Sequence, residues 1–201
     1  MSSKPDSNMG MAQQIEPDDS LIEIDSLTRT VNVQSISLEG IINTGCDLLD
    51  SGEFSKAIQQ FTLAISMNSR CCSAYLNRGL AYLRLKNFDS AIQDANAALK
   101  IDKTSADARS NLGLVYQEMG DLDRAMACFN DAITTDKEHA ESRLNRGTIF
   151  YRKGKPGAAR QDWIDVLKLD SCGSAGQAAQ RNLAKMMRDQ KKGNFGPSHS
   201  D

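Results

Sequence analysis

Aromatic side chains make up only 5% of this 201-residue chain, which also holds just four prolines, two histidines and one tryptophan. Aromatics this sparse suit thin, two-helix layers better than one bulky globular core. No stretch approaches the ~18 apolar residues needed to span a membrane, and the N-terminus lacks the apolar run of a secretory signal. Its acidic character also disfavours an Arg-rich mitochondrial presequence. The formal net charge is −2, whereas nucleic-acid binders usually present a basic face. The chain is therefore expected to be soluble and cytoplasmic, without membrane insertion and without a nucleic-acid partner.

The five cysteines, Cys46, Cys71, Cys72, Cys128 and Cys172, contain no CxxC pair and have no histidine nearby, since His139 and His199 stand far apart. No metal site is expected from such a set. Reduced thiols are, with Cys46 and Cys128 as small apolar packers. Cys71 and Cys72 fall at an exposed junction where a thiol could be redox-sensitive, but no cationic cluster would activate them. No nucleophile–base pair, metal constellation or phosphate loop stands in the sequence, so neither enzymatic activity nor a cofactor is expected.

What the chain does have is a beat. Gly45, Gly79, Gly113 and Gly147 lie 34 residues apart, and Ala57, Ala91, Ala125 and Ala159 keep the same spacing. Large apolar residues, Leu48, Tyr82, Tyr116 and Phe150, follow each glycine at three positions. A fixed period of this length marks a repeat array. Each unit reads as two helices and a tight turn, which predicts an all-α solenoid of antiparallel helix hairpins with units at 38–71, 72–105, 106–139 and 140–173. The glycine in each first helix is expected to admit the second helix of its own hairpin, with Phe61, Phe129 and Trp163 filling the space and Ala95 a smaller filler. Gly52, Gly120 and Gly154 are placed at the turn, where φ > 0 favours glycine, and Lys86 takes that place in the second unit. Ser55, Asp89 and Asp123 are expected as N-caps, while Pro156 at a first helical position leaves the fourth turn with a weaker cap.

Outside the array, residues 1–37 carry six acids against two bases, net −4. They are expected to be largely disordered. Within them residues 19–33 hold an apolar stripe (Leu21, Ile22, Ile24, Leu27, Val31) that either docks on the array or serves as a linear motif. Residues 174–192 read as a capping helix, with Ala179, Leu183, Met186 and Met187 on the apolar stripe and Arg181, Lys185 and Arg188 in water. Residues 193–201 read as a flexible tail. Residues 174–201 hold five bases against two acids, net +3. Charge pairing of the two ends between molecules, giving a self-associating assembly protein, is one alternative function; occupation of the groove by residues 19–33 is another.

The segments LNRGLAYLRLKNFDSAIQDANAALKID (76–102), NLGLVYQEMGDLDRAMACFNDAI (111–133) and LNRGTIFYRKGKPGAARQDW (144–163) resemble the tetratricopeptide repeat family. The resemblance spans residues 38–173. It departs where the family commonly has proline at the end of a repeat, because Ser69, Lys103, Lys137 and Ser171 stand there; looser junctions are expected. The resemblance implies a right-handed superhelix whose first helices line a concave groove, and a protein–protein interaction scaffold or adaptor that binds a peptide or helix of a partner.

Two positions before each repeat glycine lies an asparagine: Asn43, Asn77, Asn111 and Asn145. A carboxamide offers a donor and an acceptor, so this ladder is suited to an extended main chain. It is similar to the ladders of peptide-binding members of the family, although asparagine is also common there in the family at large. Leu80, Leu114, Tyr151, Arg84, Arg152 and Glu118 are expected to face the groove. So are the acids Glu39, Asp50, Asp107 and Glu141 and the apolar Ile42, Leu49, Leu76, Leu83 and Leu144. Such a groove favours a ligand with aliphatic anchors and some positive charge. Arg78 and Arg146 recur beside two of the asparagines, with stems suited to packing between helices. The family's clamp for acidic chaperone tails is not expected, since Ile42, Cys46, Asp107 and Asn111 occupy places where its cations and first asparagine would stand.

Overall fold

The structure, a computed structural model, describes residues 37–191. The expectations for the acidic N-terminal segment and for the C-terminal tail lie outside the described residues. Nine helices make up the described part: α1 Leu38–Asp50, α2 Phe54–Met67, α3 Cys72–Arg84, α4 Phe88–Ile101, α5 Ala106–Glu118, α6 Leu122–Thr135, α7 Ala140–Arg152, α8 Pro156–Leu169 and α9 Ser174–Lys191. Each first helix packs on the second helix of its own hairpin, and that second helix packs on the next first helix. The first helices also touch one another in series. The fold is an all-α, right-handed superhelical solenoid of antiparallel hairpins. None of the described helices is long and apolar enough to cross a membrane.

The turn inside each hairpin ends one helix and starts the next within a few residues. Glu53 N–H donates to the Leu48 carbonyl and Gly52 N–H to that of Leu49, the paired bonds of a Schellman motif. The same pairs recur at Lys86/Asn87, Gly120/Asp121 and Gly154/Lys155. The first residue of each pair is in the left-handed region: Gly52 at φ 81°, Gly120 at 84°, Gly154 at 70° and Lys86 at 58°. The residue after it is the N-cap of the new helix, which corrects the expected caps. Asn87 accepts from Ser90 N–H and Asp121 from Arg124 N–H, whereas Glu53 and Lys155 supply no capping bond. Ser55, Asp89 and Asp123 lie at the second helical position, because the Schellman turn sets the cap two residues earlier in the chain. Pro156 is at the start of α8, as expected.

The repeat glycines stand against aromatic rings. A Cβ built on Gly45 would lie 2.5 Å from Phe61, on Gly113 2.5 Å from Phe129, and on Gly147 2.7 Å from Trp163. Those three rings are buried. Around Gly79, where Ala95 replaces the ring, the nearest atom is Asp94 Cβ at 3.4 Å. The repeat alanines close the next interface: Ala57 clusters with Phe61 and Ala81, and Ala125 with Phe129 and Ile149.

Two arginines tie three helices together in alternate repeats. Arg78 donates from Nε and Nη2 to both oxygens of Asp94 at 2.9 and 2.8 Å, and from Nη1 to Thr62 Oγ1 at 3.0 Å. Two repeats later Arg146 grips Asp162 at 2.9 and 2.7 Å and Asn130 Oδ1 at 2.8 Å. The hydrogen bonds to Asp94 hold the Arg78 guanidinium still further above its usual range. Each clamp joins a first helix to its own second helix and to the second helix before it.

Two buried hydroxyls, those of Ser110 and Ser142, have no partner among the described residues, and Ser142 is 0% exposed. Ala74 and Ala108 fill the matching places in the two preceding repeats. An orphaned buried hydroxyl costs roughly 1–3 kcal/mol, so Ser142→Ala is expected to raise stability by about 1 kcal/mol. The thermal midpoint should rise by about 2–4 °C; a fall would show that the hydroxyl is satisfied.

The junctions between hairpins are closed without proline. Side chains of Asn68, Asp102 and Asp136 accept from backbone amides two residues on, at Arg70, Thr104 and Glu138. Arg109 and Arg143 reach back to the Lys103 and Lys137 carbonyls. These bonds constrain the junction backbone where the family commonly has proline. Cys71 is buried at the first junction, not exposed as its position suggested, and stands at the N-cap of α3. Burial pushes the thiols of Cys46, Cys72 and Cys128 upward, away from reactivity.

At the end of the array α9 lays Ala175, Ala179 and Met186 into a buried cluster with Ala159, Trp163 and Val166, and Leu183 packs beside them. Met187, expected on this stripe, is 53% exposed. Arg181, Lys185 and Arg188 are not among the buried residues.

Candidate functional site

Side chains of α3, the turn after it and α5 form a cavity of about 210 Å³ lined by Leu80, Leu83, Arg84, Lys86, Leu114 and Glu118. Four of the sequence-predicted site residues, Leu80, Arg84, Leu114 and Glu118, thus share one pocket. The leucines are half-buried and the charged groups exposed. Among the described residues, Arg84, Lys86 and Glu118 enter no ion pair. Sequence position marks Lys86 as a turn residue; it also lines the cavity because it lies in the turn after α3, one residue beyond that helix's C-cap.

A second cavity, about 230 Å³, lies between α7 and the start of α9 and is lined by Glu141, Leu144, Asn145, Ser174 and Ala175. The contribution of α9 was not legible as a site signal, because Ser174 and Ala175 carry no chemistry of their own.

The asparagines behave in two ways. Asn77 donates to Cys46 Sγ at 3.5 Å and Asn111 to the Leu76 carbonyl at 3.3 Å, each reaching back to the preceding first helix. Their Oδ1 acceptors stay unbonded among the described residues. Asn43, exposed on α1, and Asn145, half-buried on α7, make no hydrogen bond within the described residues. At Asn77 and Asn111 the amide nitrogen is tied and the carbonyl oxygen open, the acceptor arrangement that suits the N–H groups of an extended chain.

Three other expected groove residues are placed differently from one another. Tyr151 is half-buried in the α8–α9 cluster, its ring tilted at 50° to that of Trp163 with centroids 5.6 Å apart, and its hydroxyl donates to Asp189 Oδ2 at 2.5 Å. Burial and that bond push its pKa up to about 12. The capping helix therefore engages Tyr151, while its neighbour Arg152 stays exposed. Asp107 pairs with His139 Nε2 at 3.0 Å across a junction, and His139 Nδ1 accepts from Ser142 N–H as the cap of α7. The bond holds the Asp107 carboxyl below its usual range and the imidazole above its own. Arg78 and Arg146 belong to the interior clamps, not to the groove. No group of three His, Cys, Asp or Glu side chains among the described residues is placed to hold a metal ion.

Known proteins bear on this geometry through fold. A protein from Thermus thermophilus, TTC0263, described as a thermophilic TPR protein, matches with a TM-score of 0.64 at 16% identity, over 81% of this chain and 93% of its own. MamA from Desulfovibrio magneticus matches with a TM-score of 0.55 at 19% identity, over 76% and 93%. The Arabidopsis OM64 TPR domain matches with a TM-score of 0.51 at 26% identity, over 56% of this chain and 93% of that domain. No curated protein matches the sequence. The tetratricopeptide repeat family model matches residues 42–106 and 110–185, most of the chain, so this protein belongs to the tetratricopeptide repeat family.

Proposed function

We propose that the protein is a cytoplasmic protein–protein interaction scaffold that holds an extended or helical segment of a partner against the concave face of α1, α3, α5 and α7. The observation that carries this reading is the cavity between α3 and α5, where three leucines form an apolar floor beneath charged groups that enter no ion pair of their own. Burying one aliphatic side chain there contributes on the order of 1.5–3 kcal/mol. The asparagine carbonyls add main-chain recognition that is tolerant of side-chain identity. With Asp107 tied to His139, Glu39, Asp50, Glu118 and Glu141 leave the groove suited to a partner with aliphatic anchors and some positive charge. Acidic chaperone tails fit poorly, because no cationic clamp lines the first and third repeats.

Peptides selected from a displayed dodecapeptide library against the full-length protein supply a probe for calorimetry. Asn145→Ala removes a group with no internal bond, so affinity should fall roughly five- to tenfold, the worth of one hydrogen bond, with the melting temperature unchanged. Asn111→Ala should lower both, because it also breaks the bond to Leu76. If the triple alanine variant at Asn77, Asn111 and Asn145 folds and binds as tightly as wild type, the ladder mechanism is wrong.

A further inference from the structure

The α3–α5 cavity is chemically different on its two walls. Arg84 and Lys86 stand on the α3 side and Glu118 on the α5 side, over a floor of Leu80, Leu83 and Leu114. At about 210 Å³ it is smaller than the roughly 300–1,000 Å³ of pockets for drug-sized ligands, and matches one large side chain of a peptide. Lys86 holds a left-handed backbone at φ 58°, where the other three hairpin turns have glycine. A side chain there is strained, and strain maintained beside a cavity points to a use for that side chain.

Resting on the groove reading above, we infer that this cavity selects its partner by charge order: an apolar anchor with an acidic residue toward α3 and a basic residue toward α5, and that Lys86 is a specificity-determining residue. The leucine floor accepts many anchors, so it cannot discriminate strongly among them. The walls can. A segment in the matching order sets its carboxylate against two cations and its cation against Glu118. A segment in the reverse order sets like charges together at both walls, which is how specificity is built by repulsion as well as attraction.

The test is selection of displayed dodecapeptides against the full-length protein in four forms: wild type, Arg84→Glu/Lys86→Glu/Glu118→Lys, Lys86→Gly and Lys86→Arg. Wild type is expected to enrich a large aliphatic or aromatic residue flanked closely by an acid on one side and a base on the other. The charge-exchanged variant should enrich the opposite order. Lys86→Gly should weaken the acidic preference roughly fivefold, the order of one exposed ion pair, while melting at a higher temperature because the strain is relieved. Lys86→Arg should keep the preference. A purely structural role for Lys86 would raise the melting temperature in Lys86→Gly and leave the preference untouched, which overturns the inference. The same charge order from wild type and the exchanged variant overturns it too. Peptides that enrich with an anchor but no charge order would leave the groove reading standing and sink this one; no enrichment by wild type would sink both.

Discussion

Arg146→Met is expected to lower the unfolding free energy by about 3–5 kcal/mol, the cost of removing one partner from a buried, hydrogen-bonded ion pair. Methionine replaces the arginine stem closely in volume, so the loss is chiefly electrostatic. The Asp162 side chain is only 6% exposed, and without Arg146 both its oxygens lose their donors. Asn130 on α6 loses its partner as well. Lysine should not rescue, since an ammonium cannot make the two-pronged contact and reach a third group from the same plane. Arg146→Met/Asp162→Leu, which removes the charge along with its partner, should recover most of the loss. Urea unfolding followed by circular dichroism checks the magnitude, and hydrogen exchange should localise the loss to α6, α7 and α8, as expected where each repeat contacts only its neighbours. A change below about 1 kcal/mol in Arg146→Met, the worth of an exposed pair, would refute the clamp as a major source of stability.

The repeat glycines should divide into two classes on substitution by alanine. Gly113→Ala places a methyl group 2.5 Å from the buried Phe129 ring. Since Phe129 is 0% exposed, the ring has nowhere to move, and overpacking of this kind costs about 1–3 kcal/mol. Gly45→Ala against Phe61 and Gly147→Ala against Trp163 should behave likewise. Gly79→Ala should do the opposite, because its nearest neighbour lies at 3.4 Å. There alanine gains helix propensity, about 1 kcal/mol over glycine, and the array should become more stable. Thermal melts of the four variants decide the matter. Four losses of equal size would mean that glycine serves one common backbone role, and the ring contacts would not be its cause.

That contrast shows how much of the molecule is visible in the chain. The aromatic that excludes a methyl group stands sixteen residues after its glycine, and the same separation links Arg78 to Asp94 and Arg146 to Asp162. A rigid hairpin turns a fixed sequence separation into a fixed contact, so hairpin packing can be read from spacing. That the stems of Arg78 and Arg146 pack between helices was legible from their place beside the asparagines, but the acids they grip were not, because an aspartate in a second helix is as compatible with solvent as with the interior. Only the burial of Asp94 and Asp162 decides between them. The caps were misplaced because Ser55, Asp89 and Asp123 are good capping types, and the Schellman turn that moves the cap to residue 53, 87, 121 or 155 depends on backbone geometry. For the candidate site, Leu80, Arg84, Leu114 and Glu118 were legible from position within the repeat. Tyr151 was read in the same way from its place in the fourth repeat, yet α9 reaches it through Asp189, a contact between elements whose spacing no repeat governs.

The solenoid, then, is written into the spacing of the chain, because each unit repeats the same contacts at the same separations and stacking follows from them. Three features waited on the packing of hairpin against hairpin. These are which asparagine amides are tied to the preceding helix, which carboxylate is taken by His139, and where Arg84 and Lys86 meet Leu114 and Glu118 of the next hairpin. All three depend on how one hairpin is rotated against the next. That rotation is set by the buried side chains at each interface, Phe61 against Ala81 and Phe129 against Ile149 among them.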